Sequence, residues 1–346
     1  MDYQTIASAL SNRFPSRLVT IDSHTAGEPT RLIIKGVGPV PGQTMEEKCH
    51  YFKDNLDHVR LQLTREPRGH RDMLAALVTE PTTDGADFGL IYMDARRYPY
   101  LCGHATIGAV TTLMEAGILQ QSNVTEMTVM VDTPSGPVET RAFIEDGKVE
   151  SVAIQMVPSF VYRTNETLDV PDLGQIFVDT VCVGGFFAMI SADQIGLKLI
   201  PENGPKLIEL GMTIIDMANQ QLEVRHPVRP EVTTVDVAEF YDPSEHDRGL
   251  GKNVVVYGEA HMDRSPCGTG TAAKMTLLHH HGKMGLNQPF RNLSPLKSAF
   301  DARIVGETMI GDIDSVIVEI RGSAYITGIH EFIFDAQDPF PKGFLI

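Results

Sequence analysis

Short apolar runs separated by turn-forming residues recur along the chain. They predict strands over Leu18 to Ile21, Thr30 to Lys35, Phe88 to Met93, Met127 to Val131, Ser151 to Met156, Phe177 to Val183, Asn253 to Tyr257 and Ser315 to Ile320. Pro134-Ser135-Gly136 is one of the intervening turn signals. Two segments depart from this rhythm. From Gly103 onward Ala105, Ile107, Ala109, Val110, Leu113 and Met114 recur at helical spacing, and from Gly268 onward Ala272, Ala273, Met275, Leu277 and Leu278 do the same. Both helices are apolar enough around their circumference to be expected in the interior rather than on a surface.

The two segments also match one another at a fixed offset of 165 residues, from Cys102 to Cys267. Tyr92 and Tyr257 precede their cysteines equally, as do Ala95 and Ala260, and Gly103 and Gly268 follow directly. Thr106 pairs with Thr271, Thr111 with Thr276, Leu113 with Leu278, and Gly117 with Gly282, where a glycine would end the helix. Each copy reads as strand, loop, cysteine, helix. Two similar halves are therefore expected, each a curved strand layer around one central helix, in domains 1–145 and 146–328 that join near Asp146-Gly147. This is an α/β (α+β) arrangement rather than a doubly wound parallel sheet.

A length of 346 residues suits two domains, and 42% hydrophobic with 21% charged residues is the balance of an ordinary globular chain. Asp and Glu number 45 against 29 Lys and Arg, a net charge of −16 that disfavours nucleic acid and anionic membranes as partners and points to a small molecule. The first 17 residues lack the basic and apolar regions of a secretory signal, and no apolar run approaches a membrane span, so a cytoplasmic location is expected. The four cysteines are scattered without a C-x-x-C pair, which points to reduced thiols and neither zinc nor disulfides. His279, His280 and His281 fall near a predicted helix end, where the dipole favours them, and are not read as metal ligands. Gly268-Thr269-Gly270-Thr271 partly imitates a dinucleotide-binding turn, but no acidic residue follows at the required distance, and no cofactor is expected.

A lone cysteine is more often a small buried hydrophobe than a reactive group, and Cys49 and Cys182 are read so. The paired context of Cys102 and Cys267 reverses that reading. A helix N-terminus lowers a thiol pKa, and its free N–H groups bind a carboxylate. Inverting an α-carbon needs one group to remove a proton from one face and another to deliver a proton to the opposite face. Two matched thiols, roughly 6–7 Å apart across a substrate, meet that requirement.

Three stretches carry a resemblance: Asp22-Ser23-His24-Thr25-Ala26-Gly27-Glu28-Pro29-Thr30-Arg31, Cys102-Gly103-His104-Ala105-Thr106-Ile107-Gly108, and Asp263-Arg264-Ser265-Pro266-Cys267-Gly268-Thr269-Gly270-Thr271. With Glu66 to His70 and Gly322 to Gly328, they closely resemble the proline racemase family over nearly the whole chain. The resemblance implies a diaminopimelate epimerase-like fold of two pseudo-symmetric domains, with segment 329–346 returning to the first and the active site in the cleft between them. It implies that Cys102 and Cys267 are the acid/base thiols, that backbone N–H groups near Gly103, His104, Gly268 and Thr269 hold the substrate carboxylate, and that Asp263 and His104 meet the ring nitrogen. A homodimer is implied too. Read without the resemblance, Asp263 is a loop acid and His104 a helix-start capping group, and His24 receives no role.

The activity that follows is cofactor-independent racemisation or epimerisation of proline or 4-hydroxyproline. Family members with serine or threonine in place of one thiol resemble trans-3-hydroxy-L-proline dehydratases. Cysteine at both positions favours inversion over dehydration, although the segment from Tyr92 to Leu101 departs from the glycine- and asparagine-rich loop common in the family. The alternatives are that dehydratase, an epimerase acting on an acyclic substrate such as diaminopimelate, and a catalytically silent amino-acid-binding protein. Phe186 and Phe187 are equally readable as ring-pocket or core residues.

Overall fold

A computed structural model describes residues 2–119, 124–258 and 260–346. The chain divides into two compact units: residues 1–24, 29–139 and 324–346 form the first, and residues 25–28 and 140–323 the second. The units change between Glu139 and Thr140, seven residues before Asp146-Gly147, which form the tight turn of a hairpin. Both residues take the positive φ (49° and 75°) that such a turn requires.

In chain order the first unit contains α1 (Tyr3–Arg13), β1 (Arg17–Thr25), β2 (Glu28–Lys35), α2 (Met45–Thr64), β3 (Leu74–Thr79), β4 (Phe88–Asp94), α3 (Gly103–Glu115) and β5 (Glu126–Thr133). β2 and β3 run parallel, β3 and β4 antiparallel, and β4 and β5 parallel. β4 is buried from Phe88 to Met93 because helices cover the sheet on both sides, which is why its sequence is a continuous apolar run rather than an alternation. α2 packs on β3, β4 and β5, and α3 packs on β3 and on the C-terminal strand described below.

Sequence reasoning did not anticipate α2. Its signal was present: Met45, Cys49, Phe52, Leu56, Val59 and Leu63, at alternating steps of four and three, form the stripe that meets Ala75, Leu77, Ile91 and Met93. Cys49 belongs to this core, and burial pushes its thiol up to about 11. The polar outer face of α2 had masked the stripe.

The second unit continues with β6 (Gly136–Glu145), β7 (Lys148–Gln155), β8 (Ser159–Val170), β9 (Gly174–Val183), β10 (Gly185–Ser191), α4 (Gly204–Gln221), β11 (Val235–Asp242), β12 (Leu250–Tyr257), β13 (His261–Met262), α5 (Gly268–His280), β14 (Phe290–Leu293), β15 (Ala299–Ile310) and β16 (Ile313–Gly322). Pairing passes through β8, β9, β10, β11, β12, β14, β15 and β16, and returns to β8 through Val316 and Ser159, which closes a barrel. α5 packs on β8, β9, β10, β15 and β16, while α4 packs on β8, β10, β11 and β12. The two helices take opposite faces of β12: Val254 and Val256 join the cluster that includes Ile214 and Ala218 of α4, whereas Val255 meets Gly270 of α5. Cys182 and Phe186 lie in that α4 cluster, so Phe186 is core; burial pushes the Cys182 thiol up to about 12.

β17 (Ala324–Ile333) returns to the first unit and pairs with β1, which also pairs with β2. The internal repeat is visible element by element. α3 and α5 are both 13 residues long and start at 103 and 268; β7 and β16 start at 148 and 313. Gly117 and Gly282 end their helices with φ of 74° and 69°, and the residues after them, Ile118 and Lys283, bond back to Leu113 and Leu278. No helix among the described residues is long and apolar enough to cross a membrane.

Candidate active site

Each central helix is begun by a cysteine. Cys102 is the N-cap residue of α3, with φ −140° and ψ 108°. Its carbonyl accepts from the Thr106 N–H (3.0 Å) and the Thr106 hydroxyl (2.8 Å), and that hydroxyl lies 2.7 Å from the buried Tyr92 hydroxyl. Burial drives the Tyr92 phenol far above its ordinary range, so it serves as a neutral strut from β4 to the first turn of α3. The Cys102 sulfur lies 3.2 Å from Nδ1 of His104, whose ring is buried.

Cys267 is the N-cap residue of α5, but with φ 58° and ψ 121°, a conformation that disfavours any residue with a Cβ. Its sulfur accepts from the Gly270 N–H at 3.3 Å and lies 3.4 Å from the Thr269 hydroxyl. The Cys267 N–H donates to Ser265 Oγ, and Asp263 in turn accepts from the Ser265 N–H (2.8 Å) and hydroxyl (2.7 Å). Gly270 permits this turn, since a Cβ there would stand 2.7 Å from Glu239 Oε2 and from Val255.

The helix-start effect expected for both thiols does not prevail at Cys267. Burial, and after it the Asp263 carboxyl, push this thiol well above its ordinary value, against the smaller opposing pull of the Thr269 hydroxyl and the Gly270 N–H. The sulfur is too poorly solvated for two donors to compensate. Asp263 is itself raised to about 7, by burial first and then by the Glu28 carboxylate.

Glu28 is a further member of this site that sequence reasoning left without a role. It is wholly buried, accepts from the backbone N–H, Nε and Nη2 of Arg264 (2.9 Å each), and lies 3.0 Å from His261 Nε2. His261 stacks on Tyr257 with ring centroids 4.4 Å apart. Other residues of the first resembling stretch are structural: Asp22 and Arg31 pair with each other in the interior, and Arg31 also donates to the carbonyls of Leu63 and Arg68. His24 meets Tyr325 ring to ring at 5.4 Å.

Thus Cys102, Gly103 and His104 form one set at the start of α3, and Asp263, Cys267, Gly268 and Thr269 form another at the start of α5. Each set combines a thiol, a polar partner for it, and first-turn N–H groups that an α-helix leaves without intrahelical acceptors. Such a set can exchange a proton and hold an anion.

Residues 20–345 match the family described as Proline racemase. A proline racemase of Clostridioides difficile is 41% identical over 334 residues, covering 96% of this chain and 99% of the relative. A 4-hydroxyproline 2-epimerase of Streptosporangium roseum is 37% identical over 326 residues, covering 94% of this chain and 97% of the relative. Among solved structures, a hydroxyproline epimerase from Agrobacterium vitis with bound trans-4-hydroxy-L-proline superposes with a TM-score of 0.87 at 30% identity, covering 96% of each chain.

Proposed function

Because this chain belongs to the proline racemase family, and the proline racemase and 4-hydroxyproline 2-epimerase it resembles are isomerases, we propose that it inverts the α-carbon of free proline or 4-hydroxyproline without a cofactor, using Cys102 and Cys267 as its two proton-transfer groups. The observation that carries this reading is the repeat itself: two central helices of equal length, 165 residues apart, each started by a cysteine.

One cysteine acts as thiolate and takes the α-proton, becoming a thiol. The other gives its S–H proton to the opposite face of the same carbon and is left as a thiolate. The substrate keeps its composition, and the protein ends with its two protonation states exchanged. N–H groups of Gly103, His104, Gly268 and Thr269 receive the substrate carboxylate, onto which negative charge spreads as the proton leaves; donors fixed in advance favour that transition state most. Asp263 accepts a hydrogen bond from the ring nitrogen. His104, whose Nδ1 lies 3.2 Å from the Cys102 sulfur, also meets the ring nitrogen in this reading.

Proton NMR in D₂O with L-proline, trans-4-hydroxy-L-proline and trans-3-hydroxy-L-proline, offered separately, tests the reading. Deuterium at the α-carbon together with the inverted stereoisomer is expected from one of the first two. Loss of water from the 3-hydroxy compound alone would make the protein a dehydratase, and ligand-induced stabilisation without exchange would make it a silent binding protein.

A further inference from the structure

Beneath the Cys267 turn, the barrel interior holds charged and amide side chains that the proton transfers do not use. Lys274 Nζ donates to Asn292 Oδ1 (2.8 Å) and lies 3.8 Å from Glu239 Oε1, which accepts from Asn253 Nδ2 (2.9 Å). Asn292 Nδ2 donates to Thr271 Oγ1 (2.8 Å) and to the Pro266 carbonyl (3.2 Å), which also accepts from the Thr271 hydroxyl (3.1 Å). Glu239, Asn253, Lys274 and Asn292 are at most 1% exposed, and Glu239 Oε2 has no hydrogen-bond partner among the described residues. Desolvating an ion pair and leaving a carboxylate oxygen unpaired both oppose folding.

The architecture does not demand this expense, because the first unit builds the same motif from apolar residues. At the 165-residue offset, Lys274 corresponds to Ala109 of α3 and Asn253 to Phe88 of β4, both buried. Glu239 faces Val255 across β11 and β12; in β3 the residue facing the equivalent Leu90 is Val78. What distinguishes the second unit is the turn above the network. Two of its contacts reach that turn. The Pro266 carbonyl belongs to the peptide plane that sets the positive φ of Cys267, and Glu239 Oε2 abuts Gly270, whose N–H donates to the Cys267 sulfur.

We propose that Lys274, Glu239 and Asn292 are positioning residues that hold the Cys267 sulfur in place through the Pro266 carbonyl and the Gly270 backbone. The proposal rests on the reading of Cys267 as a proton-transfer group, and its test includes a readout that does not depend on turnover.

The double variant Lys274→Met/Glu239→Leu removes the buried ion pair and leaves Asn253 and Asn292 in place. Replacing a buried pair by packed apolar groups commonly leaves stability intact. The expected result is a folded protein whose kcat for inversion falls at least tenfold with KM within about threefold of the parent. Alkylation of Cys267 by iodoacetamide, followed by peptide mass spectrometry, should shift fivefold or more while alkylation of Cys102 stays within twofold. Asn292→Asp, which keeps the Lys274 contact but removes the donor to Pro266, is expected to act in the same direction and decides the matter if the double variant does not fold. Unchanged Cys267 alkylation in a folded variant, or an equal shift at both cysteines, overturns the proposal. If the parent inverts none of the substrates, the proposed activity falls and the alkylation result alone judges the positioning role.

Discussion

Cys102 and Cys267 start equivalent helices in a repeated unit, yet one sits in ordinary extended backbone with an imidazole 3.2 Å from its sulfur, and the other in a left-handed conformation with a hydroxyl and an N–H against its sulfur. Cys102 is only partly buried, while Cys267 is 6% exposed and has the Asp263 carboxyl close by. The tyrosines ten residues upstream have diverged as well: Tyr92 is tied to the helix through Thr106, whereas Tyr257 stacks on His261. Repetition of a backbone therefore does not repeat a thiol. Burial and a neighbouring acid hold the Cys267 thiol well above its ordinary value, and neither acts in the same way on Cys102, which is only partly buried and has an imidazole beside it. In the proposed reaction Cys267 is the resting acid, and each turnover exchanges the roles of the two thiols.

Removing either sulfur should have the largest effect. Cys102→Ser and Cys267→Ser are each expected to lower kcat for inversion by roughly 10²–10⁴-fold, since a hydroxyl replaces a group able to ionise and proton transfer carries about that much. Polarimetry reads this directly. Full racemisation by either variant would break the division into two thiols.

Thiol reactivity sharpens the contrast next. At pH 7.5 iodoacetamide should modify Cys102 faster than Cys267, because burial and the Asp263 carboxyl hold the Cys267 thiol well above its ordinary value while Cys102 is only partly buried. Asp263→Asn removes the second cause of the raised Cys267 value and should narrow the gap. Equal rates in the parent would mean that the two sites are alike.

The helix starts also differ in the space they leave. Gly270 occupies the position that Ala105 holds in α3, and its missing Cβ makes room for Glu239 and Val255. Gly270→Ala should cost about 1–3 kcal/mol through overpacking, opposed by about 1 kcal/mol of helix propensity, for a net loss on urea unfolding. Ala105→Gly should cost about 1 kcal/mol, the propensity alone. A Gly270→Ala protein more stable than its parent would contradict the close approach.

A further contrast is the pH dependence of stability that Asp263 gives the second site. Asp263 is held at about 7 in the folded protein against an ordinary 3.8, so between those values the folded state retains a proton that the unfolded chain has released. Its contribution is full below about pH 4 and lost as pH rises through 7. The urea midpoint of Asp263→Asn should therefore fall less between pH 4.5 and 7.5 than that of the parent; parallel curves would show Asp263 ionising normally.

Much of the second site became visible only through residues distant in the chain. Asp263, Cys267 and Thr269 were legible because they share one short stretch, but Glu28 reaches Arg264 across 236 positions, and nothing near either residue announces the contact. Lys274 lies in a largely apolar helix, and its partners Glu239 and Asn292 lie on separate strands. α4 was missed for the same reason as α2, a polar outer face that hid a regular buried stripe of Leu207, Gly211, Ile214 and Ala218.

Taken alone, the sequence determined the repeat, the two interior helices, the cysteine that begins each, the glycine that ends each, and the family. These follow from local preferences and from the periodicity with which apolar residues must face a core. Only the tertiary structure decided that the two thiols differ, that Cys267 adopts a positive φ, and that a charged network lies beneath one helix and an apolar floor beneath the other. Desolvation and charge–charge interaction act through space, so the ionisation of a cysteine is set by neighbours that folding brings to it rather than by the residues beside it in the chain.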